Sequence, residues 1–79
     1  MSTRHDHRHA ADVCREHRWR VGTRLVGSDG LGTTVIEIAA LGNQVMLARR
    51  ISQNGEPAAY DQDRPWRLSD RDWHEIAKA

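Results

Sequence analysis

Phenylalanine is absent from this 79-residue chain, and its large aromatic side chains are only Trp19, Tyr60, Trp66 and Trp73. A chain of this length forms one small domain and buries only roughly two-thirds of the surface that its unfolded form exposes. Those few rings, with Val, Ile and Leu, therefore supply most of the hydrophobic stabilisation. Cys14 is the single cysteine, so no internal disulfide braces the fold, and a reducing compartment is expected. No apolar run reaches the length of a membrane span, because Glu37 interrupts the most hydrophobic segment. The first residues are polar and charged, without the apolar stretch of a secretory signal. These absences lead to the expectation of a soluble cytoplasmic protein with no membrane association.

A strong net charge is also missing, since the chain sums to +1. The charge is unevenly placed: six arginines stand against Asp6, Asp12 and Glu16 in residues 1–24, while the remaining two-thirds is slightly acidic. Such a polarised chain does not hold nucleic acid by electrostatics alone. Eleven arginines accompany one lysine, Lys78, a bias that points to GC-rich coding.

Hydrophobic periodicity divides the chain. Residues 1–9 show none and are expected to be flexible, while Ala10, Val13, Cys14 and His17 share one face of a short helix over 10–17. The period then changes to two. Trp19, Val21, Thr23 and Leu25 alternate with Arg18, Arg20 and Arg24, as a half-buried strand requires. After a glycine turn, the β-branched run from Thr33 to Ala39 reads as a second strand. Gln44 to Ile51 reads as a third, with Val45, Leu47 and Ile51 inward and Met46, Ala48 and Arg50 outward. That phase also directs Arg49 inward, which places it at a rim or beside a bulge. Asn54-Gly55 marks a type I′ hairpin turn. Pro57 and Pro65 confine their segments to edges or loops. Trp66 to Leu68 resumes alternation as a short strand. Ser69 and Asp72 then have capping spacing for a terminal helical turn carrying Trp73, Ile76 and Ala77 on one face.

Short strands between glycine turns indicate a mainly β fold, a small barrel of short antiparallel strands. Val21-Gly22-Thr23-Arg24-Leu25, Gly32-Thr33-Thr34-Val35-Ile36-Glu37-Ile38 and Val45-Met46-Leu47-Ala48 together resemble SH3-like barrels of the KOW kind. That resemblance covers residues 19–51 and implies an SH3-like domain over 18–79, following a flexible His-rich segment over 1–17. The lysine-rich loops of nucleic-acid-binding members are missing, which turns the expectation toward a protein partner. In length and Arg bias the chain is also similar to small accessory proteins of actinobacteria and their bacteriophages.

His5, His7, His9, Cys14 and His17 offer enough nitrogen and sulfur for a tetrahedral metal site. All five fall within 13 consecutive residues, however, and structural sites usually join two hooks across a folded turn, so no metal is expected. Cys14 and His17 stand at helical spacing as a nucleophile and base would, but nothing nearby supplies an orienting group. His74 between Asp72 and Glu75 resembles an ordinary polar surface. The expectation is a non-enzymatic protein without a cofactor.

Binding is assigned to two places. Arg18, Arg20 and Arg24 project from one strand face, extended by Arg50 or Arg67, and suit carboxylates or phosphates. Tyr60, Asp61, Asp63 and Arg64 form a loop of residue types common at interfaces. The reading is a protein–protein interaction module, with nucleic-acid binding through the arginines, Arg49 included, as the alternative and metal binding as a second. Val26 and Met46 on the outer face, with exposed strand edges, make a homodimer a further expectation.

Overall fold

The computed structural model describes residues 9–28, 30, 32–58, 62–68 and 72–78. Its elements are α1 (Ala10–His17), β1 (Arg24–Ser28), β2 (Thr33–Leu41), β3 (Met46–Gln53), β4 (Glu56–Pro57), β5 (Arg64–Pro65) and β6 (Asp72–Ala77). The fold is mainly β, with one short helix and six antiparallel strands in one sheet. The order is β4-β3-β2-β1-β6, and β5 pairs with β3 beside β4. None of the described helices is long and apolar enough to cross a membrane.

The helix forms where its periodicity places it, and it packs as part of the domain. Ala10, Val13 and Cys14 enter the same core as Trp19, Leu25, Ile36, Ile38, Met46, Ala48, Leu68 and Trp73. A division at residue 18 therefore does not follow the packing of residues 10–17. Arg15 straps the helix to the β2–β3 turn by donating to the carbonyl oxygens of Gly42 (2.9 Å) and Asn43 (2.7 Å) while pairing with Asp12. The Ala11 N–H adds a bond to the Gln44 carbonyl at 3.1 Å. These bonds anchor a helix too short to be stable alone.

The expected first strand begins later than its alternation suggests. Trp19, Thr23 and Leu25 are buried, but Val21 is 53% exposed because the chain turns through Gly22 at φ 96°. The strand proper starts at Arg24.

β3 has the opposite phase from the one expected. Met46 and Ala48 are fully buried, while Val45 is 52% exposed and Leu47 and Ile51 are only half-buried. Burial alternates without a break over Met46–Arg49, with the even positions inward, and the register shift between Val35 and Ile36 then leaves Ile51 as an extra residue of β3. Arg49 consequently faces outward. Met46 is withdrawn from any outer dimer surface, and Val26 is half-buried.

Asn54 (φ 54°) and Gly55 (φ 84°) make the expected tight turn between β3 and β4. The short strand expected at Trp66–Leu68 lies instead at Arg64–Pro65. Trp66 hangs from β3 by both nitrogens, its backbone N–H donating to the Met46 carbonyl (3.2 Å) and its indole Nε1 to that of Ala48 (3.1 Å). Its ring meets Trp73 edge-on, with centroids 6.1 Å apart.

The C-terminal segment is a strand and not the expected helical turn. Asp72–Ala77 is a strand paired with β1, with Trp73 opposite Gly27; Ser69 lies outside the described residues. The open edge of β1 needs backbone partners, and a short segment with one buried anchor gains more by supplying them than by forming an isolated helical turn.

Candidate functional site: a cationic cleft between α1 and β6

The end of α1 is closed by an uncommon residue. Arg18 adopts the left-handed conformation (φ 63°, ψ 28°) that glycine usually supplies. Its N–H bonds to the Arg15 carbonyl (3.1 Å), and the Trp19 N–H reaches the Cys14 carbonyl (2.8 Å). An L-residue in this region costs about 1–2 kcal/mol, so a charged side chain here is held against a local preference.

The next turn fixes Arg20. Its N–H donates to Thr23 Oγ1 (3.0 Å), and the Thr23 N–H returns to the Arg20 carbonyl (2.9 Å). The Gly22 N–H to Ile38 carbonyl (2.8 Å) and Ile38 N–H to Thr23 carbonyl (2.9 Å) bonds tie the turn to β2. Thr23 is buried, so the turn has a rigid base beneath an exposed guanidinium.

These segments meet the end of β6 around an open cleft of about 440 Å³ lined by His17, Arg18, Arg20, Thr23, Glu75 and Lys78. The His17 ring stacks on Trp19 at 4.4 Å and 14°, joining the rim to the core. Three cations face one carboxylate, a local excess of positive charge. Arg18 and Arg20 make no ion pair among the described residues. Hydrogen-bonding cations around a concavity suit carboxylate or phosphate groups.

The other expected binding residues lie elsewhere. Arg24 does not share a face with Arg18 and Arg20, because a helix end and a turn carry those two; it pairs across β1–β2 with Glu37 Oε1 at 2.9 Å. Glu37 stands opposite Arg49 in the register, and Arg49 pairs with Asp63 at 3.3 Å, so alternating charges cross the outer sheet face. Arg50 is half-buried and donates to Gln53 Oε1 at 3.4 Å. The Arg64 guanidinium lies 4.9 Å from the Trp66 ring centroid. Tyr60 and Asp61 lie outside the described residues. Glu75 and Lys78 escaped the sequence reading because nothing local links the C-terminal segment to residues 17–23.

The histidines and cysteine do not form a cluster in the described part. His9 is exposed, His17 stacks on Trp19 and Cys14 is fully buried. No group of three or more His, Cys, Asp or Glu suited to a metal occurs among the described residues. His5 and His7 lie outside them. Burial pushes the Cys14 thiol from 9.0 up to about 11, with the Arg15 charge pulling the other way, which makes it a poor nucleophile.

The chain belongs to the family described as Domain of unknown function (DUF7241), whose model matches residues 8–78 and so takes in both α1 and β6. No curated protein and no solved structure matches it.

Proposed function

We propose that this family member is a non-enzymatic protein-interaction module of SH3-like build, and that the cleft between α1 and β6 is its docking site for acidic groups of a partner protein. The successive antiparallel pairing of β1, β2, β3 and β4, with the last strand returning beside β1, supports the SH3-like reading. One observation carries the functional reading: Arg18 and Arg20 lack acidic partners among the described residues, whereas Arg24 and Arg49 are paired, and both lie at a built concavity. The pairing of Arg24 and Arg49 leaves fewer cations to track a nucleic-acid backbone.

The test is capture from host lysate with and without nuclease, using wild type and the Arg18→Gln/Arg20→Gln variant. A partner retained after nuclease and lost from the variant supports the proposal. Capture abolished by nuclease would assign the cations to nucleic acid instead, and equal capture by both proteins would remove the cleft from the interface.

A further inference from the structure

The two edges of the sheet differ. On the β3 side, the outer strands β4 and β5 have two residues each, and each contains a proline, Pro57 or Pro65. Proline lacks the N–H that an added strand would use, and short strands leave little to pair with, so this edge is blunted against addition. β6, at the opposite end of the strand order, has six residues and no proline, and its one irregularity is a register shift against Arg24 and Leu25 that leaves Ile76 as the extra residue. Beyond β1 it has no strand partner among the described residues.

β6 also carries an exposed apolar side chain. Ile76 is 54% exposed, and a shallow groove of about 210 Å³ runs past Glu75, Ile76, Ala77 and Lys78. Glu75 and Lys78 line both this groove and the cationic cleft, so the two depressions adjoin at these side chains.

From this asymmetry we infer that the partner docks as an extended acidic segment, adding a strand at the outer edge of β6 over Glu75–Ala77 and delivering a carboxylate to Arg18 and Arg20. The inference rests on the proposed cleft reading and adds the mode of recognition. Strand addition takes its affinity from main-chain hydrogen bonds and its specificity from alternate side chains. Here Glu75 lines the cleft and Ile76, the extra residue of the register shift, lies beside it in the shallow groove, which selects neighbouring acidic and apolar side chains. Charge favours a foreign segment over a second copy, because a two-fold contact at β6 would bring two cationic clefts together.

The probe is a blocked hexapeptide of alternating Val and Glu, titrated into the ¹⁵N-labelled full chain and followed through backbone amide shifts. The expected shifts concentrate on Trp73–Lys78. Methylating alternate peptide nitrogens in one phase weakens binding by about tenfold or more, and the other phase has little effect. Replacing Glu by Lys in the peptide abolishes binding, and Arg20→Gln or Lys78→Gln in the protein weakens it, with dispersed spectra confirming the fold. Binding that depends on Arg20 but ignores both methylation phases would overturn strand addition and leave the cleft reading standing. Sensitivity to methylation with indifference to Arg20 and Lys78 would overturn the cleft reading. Shifts centred on Ser52–Pro57, concentration-dependent shifts on β6 without peptide, or no shift at millimolar peptide would each overturn the inference.

Discussion

Replacing Met46 by alanine tests the phase of β3, on which the composition of the core depends. Met46 is fully buried between β2 and the Trp66 segment: it pairs with Leu41, and its carbonyl accepts the Trp66 N–H. Removing a buried side chain of this size costs about 2–5 kcal/mol, because lost transfer free energy is joined by the cavity left behind. A domain this small has a total stability near the low end of about 5–15 kcal/mol, so much of it is lost. With a urea dependence of about 1 kcal/mol per molar, the unfolding midpoint falls by about 2 M or more. Val45→Ala is the internal control. Val45 is 52% exposed, and its truncation is worth about 0.5 kcal/mol or less. Met46→Leu keeps the volume and costs below about 1.5 kcal/mol. Urea titrations followed by tryptophan fluorescence measure all three. A larger loss for Val45→Ala than for Met46→Ala would refute the register and the core built on it.

Three further predictions concern turns, the helix end and the thiol. An alanine Cβ at Gly32 would lie 2.5 Å from Asn54 Oδ1, which accepts the Thr33 N–H at 2.8 Å; Gly32→Ala therefore costs about 1–3 kcal/mol by displacing that acceptor. In an Asn54→Gly background, where the obstacle is gone, most of that penalty disappears in a urea double-mutant cycle. Arg18→Gly relieves the left-handed backbone, so it leaves stability unchanged or raises it by about 1 kcal/mol while weakening partner binding; weaker stability with intact binding would contradict the proposed role. The Cys14 thiol reacts slowly with a disulfide reagent until the protein unfolds. Since its folded pKa is raised, the unfolded chain loses the proton first, and stability falls as pH rises from about 9 toward 11. Cys14→Ala removes that component, and urea midpoints across this range measure it.

The parts legible in the sequence are those decided locally. The helix over Ala10–His17 and the Asn54-Gly55 turn follow from spacing and from backbone conformations that few residues adopt. The phase of β3 is hidden because Val45, Leu47 and Ile51 are the more obvious core residues, and Ile51 is an extra residue at a register shift. Arg49 holds the clue, since the phase that puts those three inside also puts its charge inside. β6 reads as helical in the sequence because Trp73, Ile76 and Ala77 have helical spacing, while the edge of β1 that claims the segment lies far away in sequence. The candidate site was half legible. Alternation singled out Arg18 and Arg20 but attached Arg24 to them, whereas a helix end and a fixed turn join the first two to Lys78.

The most direct test compares the affinity of the captured partner for wild type, Arg18→Gln/Arg20→Gln and Arg24→Gln/Arg49→Gln at one salt concentration. Both variants remove the same amount of charge, so a diffuse electrostatic attraction affects them alike. The cleft predicts at least about tenfold weaker binding for the first and a change within about threefold for the second. Equal losses, or a larger loss for Arg24→Gln/Arg49→Gln, would contradict a docking site between α1 and β6.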